Sequence, residues 1–171
     1  MMKIIGLIGG ISWVSTIEYY RIVNEEVNKR LGGIRSAKCV IYSLDPDELK
    51  AFQERGDWDN VTKILLNAAR SLEKAGVDAI LICANTMHKV ANVIENNIHV
   101  PLLHIADATA TKIKKKNLTT VGLLGTKFTM EEDFYKERLR KYGIQTLVLA
   151  EKEREVVNSI IYNELVKGII N

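Results

Sequence analysis

The chain has few cysteines, few prolines and no long apolar run, and each shortage excludes a class of protein. It contains 2 cysteines and 2 prolines among 171 residues. Two cysteines without a disulfide spacing pattern suit a reducing cytosol, so we predict a cytoplasmic protein. No segment reaches the roughly 18 consecutive apolar residues that a membrane span needs. The absence of C-x-x-C and H-E-x-x-H motifs argues against a metal site of the zinc type.

A strong excess of one charge is also missing. The formal net charge is +3, and charged residues make up 26% of the chain. This excess is too small to predict nucleic-acid binding. The one basic cluster, Lys112 with Lys114-Lys115-Lys116, falls at the end of a predicted helix, where cations are favoured. A phosphate-binding patch is the alternative interpretation of that cluster.

Short apolar runs alternate along the chain with amphipathic stretches of helical spacing. We predict strands at residues 3–8, 37–43, 77–83, 100–103, 119–124 and 145–149. We predict helices at residues 15–30, 57–75, 86–97, 107–116, 131–142 and 151–167, with a short one starting at 45. This alternation predicts an α/β fold, with a parallel sheet flanked by helices and right-handed crossovers.

The strand and helix pattern restarts near residue 118, where a Gly-Thr turn follows a strand as Gly9-Gly10 does earlier. We therefore predict two similar halves, 1–104 and 105–171. The second half looks incomplete, because it has two predicted strands where the first has four. The last predicted helix carries an apolar face that includes Val156 and Ile160. An uncovered face of this kind predicts a homodimer or a higher assembly.

The most informative run is Ile-Leu-Ile-Cys-Ala-Asn-Thr-Met-His at residues 80–88. Cys83 ends an aliphatic strand just before a helix that Asn85 and Thr86 are expected to open. The carboxyl end of a strand is where α/β proteins gather reactive groups. A helix dipole there favours the thiolate, which can act as a base. The alternative is a small buried apolar residue, which is our interpretation of Cys39 in the middle of a strand.

Two predicted turns could bind an anion. The turn at residues 9–12, Gly-Gly-Ile-Ser, opens a helix with several backbone N–H donors and nearby hydroxyls. It matches neither a dinucleotide fingerprint nor a P-loop, and a plain strand-to-helix turn is an equal alternative. Asn85 and Thr86 could donate to an anion at a second helix start, or could form a plain N-cap.

The histidines leave other interpretations open. His88 lies one turn into its predicted helix, and we favour a structural role for it. His104 ends a predicted strand near the boundary of the halves, where a site or hinge role and a structural role are equally supported. A Cys-His-Asp hydrolase is compatible with the composition, but it would need an oxyanion hole beside Cys83.

Taken together, these motifs resemble the aspartate/glutamate racemase family, in its aspartate racemase branch. Residues 83–88, Cys-Ala-Asn-Thr-Met-His, are similar to the first cysteine signature of that family. The opening Gly-Gly-Ile-Ser-Trp at 9–13 resembles the start of the aspartate racemase branch. Further similar segments are residues 101–110, 122–126, 129–130 and 160–165.

The resemblance implies racemisation of a small acidic amino acid, aspartate or glutamate, without a cofactor. It implies two pseudo-symmetric α/β halves that each supply one cysteine. The Cys83 thiolate would take the α-proton, and donors would stabilise the charge that forms. The residues expected to bind the substrate, or to shape its pocket, are Gly10, Ile11, Ser12, Gln53, Asn85, Thr86, Thr126 and Lys167.

The sequence departs from the family's pattern in one respect. The resemblance implies a Gly-Cys-Thr-Glu motif with the second catalytic cysteine, and no such motif occurs in these 171 residues. Racemisation by two groups needs one on each face of the α-carbon. We therefore expect a C-terminally truncated form that is weak or inactive as a racemase. The alternative is a catalytically dead protein of the same fold that binds an amino acid or a carboxylate.

Overall fold

The computed structural model describes residues 2–170, and the chain forms two compact units. The first unit comprises Met1–Ala84 with Val90–Leu102, and the second comprises Asn85–Lys89 with Leu103–Asn171. Each unit contains parallel strands together with helices, which confirms the predicted α/β class. The two similar halves predicted at 1–104 and 105–171 stay a prediction, because the units are defined only as groups of residues in contact.

A three-stranded parallel sheet forms the centre of the first unit. The middle strand is β1 (Ile4–Gly9), which lies between β2 (Lys38–Ser43) and β3 (Ala79–Ile82). The side chains at the end of β1 and along β3 are apolar because helices cover the sheet, as is usual for parallel strands. Leu7, Ile8, Ile80 and Ile82 are accordingly at most 1% exposed.

The helices of the first unit are α1 (Trp13–Leu31), α2 (Pro46–Glu54), α3 (Trp58–Lys74) and α4 (Ala91–Glu95). The inward face of α3 packs at the centre of this unit through buried residues at helical spacing: Val61, Leu65, Ala68 and Leu72. The approach between α3 and β1 is close at Gly6. A Cβ there would lie 3.2 Å from Leu72 Cδ1.

The strand predicted at residues 100–103 does not form. Pro101 has no N–H to donate, so it cannot continue a ladder of hydrogen bonds. Its carbonyl accepts a hydrogen bond from the Ile80 N–H at 2.9 Å. The result is an isolated parallel bridge between Ile80 and Leu102 at the outer edge of β3.

The second unit contains a shorter parallel pair, β4 (Thr120–Gly122) and β5 (Gln145–Leu147). Its helices are α5 (Ile105–Lys115), α6 (Lys127–Glu131), α7 (Asp133–Arg140) and α8 (Glu151–Asn163), with 3₁₀ helices at Thr86–Val90 and Leu165–Lys167. A compact apolar cluster holds this unit together: Ala106, Ala110, Leu123, Tyr135, Leu139 and Ile144.

Three predicted helices are interrupted. In the one predicted at 151–167, α8 ends at Asn163 and a separate 3₁₀ helix follows at Leu165–Lys167. The helix predicted at 86–97 begins as a 3₁₀ helix, in which the His88 N–H donates to the Asn85 carbonyl at 3.0 Å, and α4 follows it. The helix predicted at 131–142 is broken at Glu132, whose backbone is extended at φ −78° and ψ 161°. An ion pair of 2.7 Å between Glu132 and Lys89 accompanies this break. Helical spacing alone does not reveal such a contact between distant residues.

The apolar face predicted for the last helix is exposed, as expected. No residue of α8 is buried, and Val156 and Ile160 are 58% and 40% exposed. The homodimer inferred from this face stays a prediction. Within residues 2–170, every helix is too short or too polar to cross a membrane.

Candidate active site

The first turn connects β1 to α1 through a backbone that requires glycine. Gly10 has φ +83°, and a Cβ at this position would collide with the backbone N and O of Leu44. Leu44 cannot move away freely, because its N–H donates to the Gly9 carbonyl at 2.9 Å. Ser12 then caps α1, its hydroxyl oxygen accepting a hydrogen bond from the Ser15 N–H at 3.4 Å.

Cys83 is the first residue after β3, and both of its backbone polar groups are bound. Its N–H donates to the Ile8 carbonyl at 2.9 Å, which continues the sheet pairing by one residue. Its carbonyl accepts a hydrogen bond from the Ser15 hydroxyl at 3.0 Å. The residue as a whole is 1% exposed. The structure therefore confirms that Cys83 lies at the carboxyl end of a buried strand.

Burial of the thiol opposes the predicted stabilisation of the Cys83 thiolate. Burial raises the pKa of Cys83 to about 12, because removal from water disfavours the charged form. The segment that follows is a 5-residue 3₁₀ helix, which is too short to supply the dipole of a full α-helix. Cys83 is therefore a protonated thiol at neutral pH in this structure.

Cys39 does not lie beside Cys83, although both are free thiols of the first unit. Cys39 pairs with Ile5 at the start of β1, whereas Cys83 follows Ile82, the partner of Ile8. By strand geometry the two cysteines are on the order of 15 Å apart. Cys39 is half-buried on β2, and desolvation raises its pKa also.

In the second unit, a cluster of threonine hydroxyls joins two of the predicted residues. The hydroxyls of Thr86 and Thr126 are 2.7 Å apart, and that of Thr126 lies 3.1 Å from that of Thr129. Thr126 also caps α6, accepting a hydrogen bond from the Thr129 N–H at 3.4 Å. Sequence reasoning did not select Thr129 as a site residue. The sequence signal that could have identified Thr129 is its position three residues after the capping residue Thr126. Ser15 lies three residues after the capping residue Ser12 in the same way.

The other predicted site residues lie in different parts of the two units. Gln53 is buried in α2 of the first unit, at 6% exposure. In the second unit, Asn85 is exposed and its carbonyl accepts the His88 N–H, while Lys167 is exposed at the end of the last 3₁₀ helix. In the part of the chain that the structure describes, no three His, Cys, Asp or Glu side chains are grouped as a metal site would require.

His88 and His104 form a buried pair in the second unit. Their ring centroids are 4.5 Å apart. His104 Nδ1 accepts a hydrogen bond from the Ala106 N–H at 3.1 Å and so caps α5, while His88 Nε2 accepts one from the Ile105 N–H at 3.3 Å. An imidazole nitrogen can accept only when it carries no proton. These contacts give both histidines a structural role at the start of α5.

We expect acid to destabilise the second unit through His104. Burial, with His88 and Arg138 nearby, lowers the pKa of His104 from 6.5 to about 3. Above pH 6.5 the neutral ring is favoured in both the folded and the unfolded chain. As the pH falls from 6.5 towards 3, only the unfolded chain gains the proton, which costs about 2 kcal/mol of stability at pH 5.

The measurement is hydrogen-exchange protection of the first amides of α5 between pH 7 and pH 5. The neighbouring groups that act on the pKa of His104 are His88, Arg138, Asp107 and Lys141. His104→Asn keeps a capping oxygen and should flatten the pH dependence. His99→Gln, at an exposed histidine of the first unit, is the control and should leave the dependence intact. An unchanged dependence in the His104 variant would contradict this prediction.

Comparison with known families finds one that matches almost the whole chain. A family model described as Asp/Glu/Hydantoin racemase matches residues 8–169. The chain is 30% identical over 160 residues to the broad specificity amino-acid racemase RacX of Bacillus subtilis (strain 168). That alignment covers 92% of this chain and 69% of the Bacillus protein.

Two solved structures share the fold at higher identity. A Yersinia pestis protein assigned to the Asp/Glu racemases is 53% identical with a TM-score of 0.91, over 99% of this chain and 74% of that one. An aspartate racemase homologue from Pyrococcus horikoshii OT3 is 39% identical with a TM-score of 0.83, over 98% of this chain and 74% of that one. Both similarities extend over the two units described above.

Proposed function

The chain belongs to the Asp/Glu/hydantoin racemase family, and we propose that it exchanges the α-proton of aspartate or glutamate through Cys83. The observation that carries this proposal is the family match over residues 8–169, with the only strand-end cysteine of the described chain inside it. The chemistry requires no cofactor, because a thiolate can itself accept the proton. The Yersinia protein is assigned to the Asp/Glu racemases and the Pyrococcus protein is an aspartate racemase homologue, which supports an acidic amino acid as substrate.

The proposed step is a proton transfer from carbon to sulfur. The Cys83 thiolate takes the α-proton, becomes a thiol, and leaves the electron pair on the α-carbon and its carboxylate. The α-ammonium group of the bound amino acid supplies a positive charge near the sulfur, which favours the thiolate that burial disfavours. Substrate binding would then lower the pKa of Cys83 from its resting value of about 12.

We assign the binding of the substrate to the residues that the sequence analysis selected. Asn85 and Thr86 would bind the α-carboxylate, with Thr126 beside Thr86 as a second hydroxyl. The turn at Gly10, Ile11 and Ser12 would shape the pocket through its backbone. Lys167 would pair with the side-chain carboxylate, and Gln53 is the weaker candidate for that role. Each assignment is a proposal that a single substitution can test through the binding constant.

A single thiol acts on one face of the α-carbon only. Cys39 cannot serve the opposite face together with Cys83, because the sheet holds them on the order of 15 Å apart. If Cys83 alone acts, a deuteron from solvent replaces the proton on the face from which it left. We therefore expect this polypeptide to label its substrate with retention of configuration and to invert it slowly.

The test is incubation of L-aspartate and L-glutamate with the protein in heavy water. Loss of the α-proton signal in NMR measures exchange, and chiral chromatography measures inversion. Exchange that outpaces inversion by at least tenfold is the expected result. Equal rates of exchange and inversion would show that a second acid or base is present, and they would overturn the proposal of a single acting thiol.

Burial of Cys83 also supports a second candidate, a protein that binds the amino acid without chemistry. A thiol with a pKa of about 12 is a poor base unless the substrate changes its environment. Calorimetry separates the two functions. Heat of binding for aspartate or glutamate, with no α-proton exchange over days, would favour the binding protein.

We place this function in the cytoplasm and in a homodimer. The cytoplasmic location is supported by the state of both cysteines, Cys39 and Cys83, which are free thiols. The homodimer is supported by the apolar side chains that α8 exposes.

A further inference from the structure

We propose that Ser15 is the positioning residue that fixes Cys83 for proton transfer. This inference rests on the proposed role of Cys83 as the acid and base. Ser15 lies in the first turn of α1, 68 residues from Cys83 in the sequence, and its hydroxyl is 3.0 Å from the Cys83 carbonyl oxygen. Ser15 is not one of the binding residues named above. Its proposed role is to hold the backbone of Cys83, and it does not contact the substrate.

The geometry shows why this contact matters for the direction of the thiol. β3 ends at Ile82, so Cys83 has no strand partner beyond its own N–H, which donates to the Ile8 carbonyl. Its carbonyl would be free to rotate after the strand ends. The Ser15 hydroxyl binds that carbonyl and fixes the second side of the residue. Because its N–H and its carbonyl are both hydrogen-bonded, the backbone of Cys83 is fixed, and so is the direction of its Cα–Cβ bond.

The Ser15 hydroxyl has a second acceptor, which ties Cys83 to the first turn. It lies 3.0 Å from the carbonyl of Ser12 as well as 3.0 Å from that of Cys83. A hydroxyl carries one proton, so the two carbonyls share it. Ser12 is the cap of α1 and one of the proposed binding residues. Ser15 therefore fixes the position of Cys83 relative to the turn at Gly10, Ile11 and Ser12.

Loss of the Ser15 hydroxyl should loosen Cys83 selectively. The Cys83 carbonyl would lose its partner, and a buried carbonyl without a partner is costly, so it would turn towards water. The thiol would become hydrated at the same time. Hydration favours the thiolate, which is the form that reacts with an alkylating reagent. Faster alkylation of Cys83 is the signature of this change.

The experiment measures the alkylation of both cysteines by iodoacetamide at pH 8.5, with peptide mass spectrometry. Cys39, half-buried on β2, serves as the reference within the same molecule. In Ser15→Ala we expect the ratio of the Cys83 rate to the Cys39 rate to rise at least tenfold. Ser15→Thr keeps the hydroxyl and should hold the ratio within about twofold of the wild type.

Ser71→Ala is the matched control. Ser71 donates its hydroxyl to the Asn67 carbonyl within α3 at 2.8 Å, so its loss removes a similar bond far from Cys83. The ratio should not change in this variant. An unchanged ratio in Ser15→Ala would overturn the proposal. So would equal acceleration of both cysteines, because that pattern reports general unfolding, or a ratio in Ser15→Thr as high as in Ser15→Ala.

The readout needs no substrate, so the two proposals fail separately. If the wild-type protein shows no α-proton exchange, the proposed function is lost, and the alkylation ratio still decides whether Ser15 holds Cys83. If exchange occurs and the ratio does not move in Ser15→Ala, Cys83 acts without Ser15.

Discussion

Cys83→Ser is expected to slow α-proton exchange of aspartate or glutamate by about 10³-fold, the size of a general acid–base contribution. Serine is close to cysteine in shape, and its backbone can keep the hydrogen bonds to Ile8 and Ser15 that hold residue 83. Its hydroxyl is a much weaker acid than a thiol, so it does not form the base that removes the proton. The substitution should therefore abolish most of the proton exchange without changing the fold.

The measurement is the rate of loss of the α-proton signal in heavy water, compared with Cys39→Ser as the matched control. Cys39 lies on β2 at the far end of the sheet from the end of β3, so its replacement should change the rate by less than about twofold. The wild-type rate should also rise with pH between 7 and 9, because burial keeps the Cys83 thiol protonated there. Equal rates in the wild type and Cys83→Ser would remove Cys83 from the reaction.

Gly10→Ala is expected to lower the free energy of unfolding of the first unit by more than about 3 kcal/mol. About 1–2 kcal/mol comes from placing alanine at a positive φ, which Gly10 holds at +83°. The rest comes from the collision of the new Cβ with the Leu44 backbone, which its bond to the Gly9 carbonyl keeps in place. Strain and collision act at one position, so the effect should be among the largest of any glycine in the chain.

Gly76→Ala separates the two causes. Gly76 has φ +80°, and a Cβ there would have nothing within 4 Å, so only the conformational cost of about 1–2 kcal/mol applies. Urea unfolding followed by tryptophan fluorescence is suitable, because both tryptophans of the chain, Trp13 and Trp58, lie in the first unit. Similar losses in the two variants would show that the turn relaxes around a side chain at residue 10.

The sequence was sufficient to predict the α/β class and the position of Cys83, because those follow from local patterns. Alternating apolar runs and helical spacing mark β1 and α3 without any knowledge of contacts. Asp45 and Pro46 mark the start of α2 in the same way, and the Asp45 carboxylate does accept a hydrogen bond from the Asp47 N–H. These features depend on neighbouring residues only.

Features that depend on distant residues could not be predicted. The break at Glu132 accompanies a contact with Lys89, 43 residues away, and the Ser15 contact spans 68 residues. The raised pKa of Cys83 has the same origin, since the packing of the whole unit decides how much water reaches the sulfur. A strand-end cysteine before a short helix predicts where a thiol lies, but it does not predict its protonation.

The two edges of the first unit's sheet differ, and this difference bears on how the protein would aggregate. On the β3 side, the Pro101 carbonyl and the Leu102 bridge occupy the edge, and proline offers no N–H to a further strand. On the β2 side, no strand within the described residues pairs with the outer edge, and Ile41 and Tyr42 are 40% and 38% exposed. Intermolecular strand addition would therefore start along Lys38–Ser43, and a charged residue introduced there is the natural means of keeping concentrated samples free of fibrils.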